Sequence, residues 1–154
     1  VNGENVGVAG SLQYTLRTKT KQPMKPTYKP SNYNSVSPYL IVQGAQKMVE
    51  FLKELFGATE LRRYNLPDGT VLHMEMRLDD SVIMIADSNE NYPPNKHLLH
   101  VYVPDVDATF KRAVELGCTA IQEPKEQEGD PDRRGMIQDF AGNTWAIGTQ
   151  VRSN

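Results

Sequence analysis

The stretch from Val42 to Gly57 and the stretch from Val103 to Gly117 follow one plan, with one residue of slippage between them. Each leaves a short apolar strand, enters a helical apolar period and stops at glycine. In the first, Met48, Phe51, Leu52 and Leu55 fall at i, i+3, i+4 and i+7; in the second, Val106, Phe110, Ala113 and Val114 share a helix face. Gly57 and Gly117 stand where the left-handed residue that ends a helix is expected. Further along, "DDSVIMIAD" matches "AGNTWAIGT". A strand–helix–three-strand pattern recurring after about sixty residues is an internal duplication. Each copy alone has an open, curved sheet with one helix. The chain is therefore expected to be α+β, with two fused βαβββ repeats forming a curved mixed sheet around a cleft.

The repeat fixes the expected elements. Tyr39 to Val42 reads as a strand and Ala45 to Phe56 as a helix. "ELRRYNLPDGTVLHMEMRL" reads as a hairpin turning at Pro67-Asp68-Gly69. Ser81 to Ala86 is a strand, and residues 88–96 are a loop. The second copy has a strand from Leu98 to Val103 and a helix capped by Asp105 that runs to about Leu116. A strand at 119–122, a charged loop at 123–135 and a closing hairpin within "MIQDFAGNTWAIGTQ" complete it. Asp139, Gly142 and Asn143 supply the last turn.

With 154 residues, one domain is expected, and its span is read as 35–151. Residues 1–34 form an extended leader, punctuated by Pro23, Pro26 and Pro30. Met24 precedes what reads as a natural beginning, so residues 1–23 are expected to lie upstream of the native chain. Within them "SLQYTLRT" alternates like a strand, and residues 11–18 are expected against a sheet edge or groove, of a neighbouring chain rather than their own.

Net charge is −2, which implies no general attraction for nucleic acid, and no nucleic-acid motif is present. The longest apolar run, Val82 to Ala86, is too short for a membrane span. Cys118 is the single cysteine and can close no intrachain disulfide. No apolar signal segment is visible, and a cytoplasmic protein is expected.

Three segments carry a family resemblance: "SPYLIVQGAQKMVEFLKELFGA", "HVYVPDVDATFKRAVELG" and "DRRGMIQDFAGNTWAIGT". In this order they resemble the glyoxalase/bleomycin-resistance/dioxygenase superfamily, also called vicinal oxygen chelate, and its PhnB-like branch most closely. The resemblance covers about Ser35 to Val151. It departs at the last turn, where the branch reads Asp-Pro-x-Gly and this chain has Asp139-Phe140-Ala141-Gly142. It implies a homodimer and a small-molecule ligand. Metal enzymes of the superfamily place ligands at the start of each repeat's first strand and on its last strand. Those positions hold Ser37, Met84, Leu98 and Ala146, and their neighbours are Pro38, Ile85, His97 and Ile147. None of the first four suits a divalent ion, so no metal and no cofactor is expected.

Strand alternation supplies the candidate site. His73, Glu75 and Arg77 share one face of their strand, as do Leu98, His100 and Tyr102 of theirs. The opposite sets, Leu72, Met74 and Met76 and Leu99, Val101 and Val103, are expected beneath the helices. His73, Glu75, His100 and Tyr102 are thus expected along one concave cleft as ligand-binding residues, with Asp87 nearby. Arg134 joins them as an anion clamp at the cleft mouth; alternatively, Arg133 and Arg134 bridge to Asp130 and Asp132 in their own loop. His73, Glu75 and His100 could instead form a displaced metal site, bind or move protons without metal, or be structural. Trp145 and Cys118 read as core residues, and Arg77 as a structural partner of a nearby acid.

The function expected is small-molecule binding of the glyoxalase/bleomycin-resistance type, without the usual metal. Two alternatives remain open: a metal-dependent lyase, isomerase or dioxygenase with a non-standard ligand set, and a drug-sequestering resistance protein.

Overall fold

The computed structural model describes residues 28–153; the leader strand expected at 11–18, and Met24, lie outside the described residues. The elements are β1 (Tyr39–Val42), α1 (Ala45–Phe56), β2 (Thr59–Asn65), β3 (Val71–Leu78), β4 (Ser81–Asp87), β5 (Leu98–Tyr102), α2 (Val106–Glu115), β6 (Thr119–Glu126), β7 (Asp132–Gln138) and β8 (Thr144–Gln150). The sheet orders are β1-β4-β3-β2 and β5-β8-β7-β6, so the two repeats repeat each other strand for strand. In both, the first strand pairs parallel with the last and the other pairs are antiparallel. The α+β class and the paired βαβββ plan are as expected. The sheet is carried as two four-stranded halves that do not close on each other.

Local chemistry sets the helix ends. Asp105 caps α2, its side chain accepting from the Ala108 N–H at 2.9 Å. Gly117, at φ 93°, ends that helix: its N–H donates to the Val114 carbonyl and the Cys118 N–H to the Ala113 carbonyl, both at 3.0 Å. Helix α1 has glycine at its N-cap and no cap from its own sequence. The carboxylate of Asp87, at the end of β4, takes that role from a distance. One oxygen accepts from the Gly44 N–H at 3.2 Å and the Ala45 N–H at 2.8 Å; the other accepts from the Val71 N–H of β3 at 2.8 Å.

The helices cover one face of each sheet and meet each other, with Arg112 of α2 paired to Glu54 of α1 at 2.6 Å. One buried core runs through both repeats. Trp145 of β8 is buried in it, its ring centroid 5.2 Å from that of Phe56 and 6.2 Å from that of Phe51, both on α1. Its indole N–H donates to the buried Asp139 at 2.9 Å, and Asp139 also accepts from the backbone N–H groups of Ala141 and Asn143. The last turn is thereby tied to the core. Phe140, where the branch carries proline, lies beneath the Lys47 ammonium at 4.5 Å and joins the turn to α1.

Two details differ from expectation. Strand β6 runs through Pro124 to Glu126, and β7 starts at Asp132, so the charged loop expected at 123–135 is shorter. Proline is tolerated because β6 is an edge strand and its register shifts on either side of Gln122. Leu72, expected beneath the helix with the fully buried Met74 and Met76, is 54% exposed and borders a cavity. Among the described residues no helix is long and apolar enough to cross a membrane.

Candidate functional site

The sheet faces turned away from the helices carry the candidate residues. On the first sheet, Tyr39 of β1 lies beside Met84 of β4, and Met84 beside Glu75 of β3. Glu75 is 3% exposed. It accepts from the Tyr33 hydroxyl of the arm preceding β1, and its other oxygen lies 3.0 Å from His73 Nε2 and 3.6 Å from the Arg62 guanidinium. His73 Nδ1 is 2.7 Å from the Tyr39 hydroxyl. Tyr33, Glu75, His73 and Tyr39 therefore form one unbroken chain of polar contacts. Burial pushes the Glu75 carboxyl upward, but the Tyr33 and His73 hydrogen bonds and the Arg62 charge outweigh it and hold the group below the ordinary carboxylate value. Burial, then Glu75 and Tyr92, push the Tyr39 phenol up, so it keeps its proton. Among the described residues Arg77 pairs with no acid; it donates to the Asn32 carbonyl at 2.7 Å and helps hold the arm on the sheet.

The edge of β1 is held by side chains where a neighbouring strand would otherwise sit. Asn95 accepts from the Ile41 N–H at 2.9 Å and donates to the Tyr39 carbonyl at 3.1 Å, and His97 Nε2 donates to the same carbonyl at 3.0 Å. Tyr39 thus has a fixed backbone beneath a fixed side chain. Its ring forms part of a cavity of about 560 Å³ at the end of the first sheet. Ile41, Val71 and Ala86 line this cavity from the strands, Leu66 and Leu72 from the hairpin, and Tyr92 from the loop after β4. Asp87 also borders it, with its oxygens committed to the three backbone N–H groups described above.

On the second sheet, His100 and Tyr102 stand on one face with ring centroids 4.7 Å apart. The His100 ring lies over Gly148, where an added Cβ would sit 3.3 Å from it. The Tyr102 hydroxyl donates to Asp132 at 2.8 Å, and that hydrogen bond raises its pKa. Arg134 lies between Asp130, at 2.9 Å, and Asp132, at 3.2 Å, while Arg133 pairs with Asp107 of α2 at 2.8 Å. His100 and Arg134 border a cavity of about 490 Å³ together with Met136 and Ala146.

The expected site residues therefore form two groups. His73 and Glu75 join each other and Tyr39; His100, Tyr102 and Arg134 gather on the other sheet. None of the described cavities is lined by members of both groups. Tyr33, Tyr39 and the cavity residues Leu66 and Tyr92 were not picked out by the sequence, whereas the bridging of Arg134 to Asp130 and Asp132 was one of its two readings. Tyr39 could have been found from the parallel pairing of β1 with β4, which sets it on the face of Met84 and Glu75. Tyr33 and Tyr92 lie outside any strand and carry no periodic signal.

The metal that the family implies does not fit this donor set. Met84, Leu98 and Ala146 offer no hard donor, and Ser37 offers only a hydroxyl. Among the described residues no group of three or more His, Cys, Asp or Glu side chains is placed to hold a metal ion. Cys118 is buried, and burial, with a smaller effect of Asp139, pushes its thiol up to about 11, which suits packing rather than nucleophilic attack.

Two separate sheets built on one repeated plan, each with an open face, match a known class. Residues 33–147 match the Glyoxalase/Bleomycin resistance protein/Dioxygenase superfamily, and the chain belongs to it. A relative from Mycobacterium bovis, described only as uncharacterised, is 31% identical over 129 residues, covering 77% of this chain and 84% of the relative. Among solved structures, the antibiotic-binding protein TnmS3 of a Streptomyces species is similar at TM-score 0.58 and 22% identity, over 77% of this chain and 99% of that one. A PhnB protein from Bacillus cereus is similar at TM-score 0.60 and 16% identity, over 75% and 99%. At these identities the structural likenesses speak to the fold.

Proposed function

We propose that this chain is a small-molecule-binding protein of the glyoxalase/bleomycin-resistance type that holds its ligand without a metal ion. The observation that carries this reading is the cavity of about 560 Å³ on the first repeat, walled mainly by apolar and aromatic side chains. Its size falls within the roughly 300–1,000 Å³ of small-molecule pockets. The antibiotic-binding neighbour of the same fold is in keeping with it. In this reading, His73 and Glu75 serve the first-repeat cavity through Tyr39, and His100 and Arg134 line the second, with Tyr102 packed beside His100. The working form is a cytoplasmic homodimer with residues 35–151 as its folded unit; Leu98, 70% exposed, and Tyr102, 63% exposed, are available for the partner to cover.

Elemental analysis of protein purified without chelator tests the metal clause. Less than about one tenth of a first-row metal per chain is expected, since a site needs at least three competent side chains. Near-stoichiometric Zn, Ni, Fe or Mn that disappears in a His100→Ala variant would return the reading to a metal-dependent enzyme. Stoichiometric binding with release of unchanged ligand separates sequestration from turnover.

A further inference from the structure

The first-repeat cavity is mostly apolar, with Thr70, Asp87, Ser88 and Asn89 as the other polar residues of its lining, and one of its walls ends in a hydrogen-bonded chain that reaches into the protein. Glu75, held ionised by its partners, can only accept, so His73 Nε2 must carry a proton. In the neutral ring, Nδ1 is then the acceptor, and the Tyr39 hydroxyl donates its single proton to it across 2.7 Å. The phenol oxygen keeps lone pairs, and its ring borders the cavity. No lysine or arginine lines that cavity, and Asp87 adds a carboxylate whose two oxygens already accept from three backbone N–H groups. An anion is therefore disfavoured there. Tyr39 and Tyr92 line it with aromatic side chains, and Leu66 and Leu72 add exposed apolar surface.

We propose that the Tyr39 oxygen is the polar anchor of this cavity, set by His73 and Glu75 to accept a hydrogen bond from an uncharged, flat aromatic ligand that bears a hydroxyl group. Tyr39 touches the ligand; His73 and Glu75 are positioning residues. The inference rests on the small-molecule reading above and adds the ligand's class and the direction of its hydrogen bond.

Three tricyclic probes separate the two readings: phenanthrene, hydroxyphenanthrene and methoxyphenanthrene, titrated by fluorescence at mildly alkaline pH. The hydroxyl compound can donate, the methoxy compound can only accept, and the hydrocarbon can do neither. The full chain is expected to bind hydroxyphenanthrene about tenfold more tightly than methoxyphenanthrene, the worth of one well-placed hydrogen bond. Tyr39→Phe is expected to bring the two dissociation constants together. Glu75→Gln lets the side-chain amide donate to Nε2, which reverses the imidazole tautomer and turns the Tyr39 proton towards the cavity; the preference should shrink or invert. Equal affinities in the unaltered chain, or a preference that survives Tyr39→Phe, would overturn the anchor while leaving the cavity reading intact. Failure of all three probes to bind would overturn both.

Discussion

Matched through strand register, the two repeats place Tyr39 opposite His100, His73 opposite Arg134, Glu75 opposite Met136 and Met84 opposite Ala146. The backbone plan is the same and the chemistry is not. In the first repeat the middle of the open face is filled by the Tyr33–Glu75–His73–Tyr39 chain, and open space lies at the end of the sheet. In the second, Ala146 and Gly148 leave the middle low, and His100 lies across it. Duplication thus supplied two equivalent scaffolds, and side-chain volume decided where each one keeps its cavity.

The same comparison holds inside the core, and its largest contrast is at Trp145. That residue occupies the place that Ile83 holds in the first repeat, but it also reaches Phe51 and Phe56 of the other repeat's helix. Trp145→Ala is expected to cost about 3–5 kcal/mol, and Ile83→Val about 0.5–1.5 kcal/mol. Denaturant midpoints check this; equal costs would mean that the repeats are not joined through the indole.

Helix capping gives the next contrast. Asp87→Ala strips partners from three backbone N–H groups in two segments and is expected to cost about 2–3 kcal/mol. Asp105→Ala removes the cap of α2 from the helix's own sequence and should cost about 1 kcal/mol. If thermal unfolding ranks them the other way, the long-range cap is not what holds α1.

Cys118 follows its helix-ending glycine as Ala58 follows Gly57, and both are buried. Cys118→Ala should therefore change stability by about 1 kcal/mol or less, and the folded protein should resist thiol reagents. A fast-reacting thiol would separate the two repeats at this position.

The smallest effect concerns acid. Hydrogen bonds from Arg63 and Lys53 hold the Glu60 carboxyl down to about 2, below its ordinary 4.5. Its contribution is present above pH 4.5 and is lost as pH falls towards 2. Because the group is partly exposed, that contribution is about 0.5 kcal/mol. Glu60→Gln should flatten the acid limb of the stability curve by that amount. In the second repeat Arg133 likewise lowers Asp107, so Asp107→Asn should act in the same direction.

The repeated plan was readable because helix period, glycine stops and the two matching strands are local patterns. Helix α1 and strand β1 fall on the expected residues, and the Asp139 turn is where its residue types place it. The division of the candidate residues was not readable. Alternation assigns His73 and His100 to open faces, but no local signal says whether two open faces share a space. Likewise, the partners of Glu75 come from residues 33 and 62 as well as from its own strand, and only the folded register brings them together.

The Asp87 carboxylate has a consequence in time as well as in stability. One side chain closes the amides of Ala45, at the head of α1, and of Val71, at the head of β3. Neither amide can meet solvent unless that carboxylate lets go, so their hydrogens should exchange through a common opening event despite their distance in sequence. Because Asp87 also borders the first-repeat cavity, a molecule lodged there sits against the latch. Its arrival should slow deuterium uptake at both amides by the same factor, a paired signature that would report occupancy even for a ligand with no colour, no fluorescence and no reaction to follow.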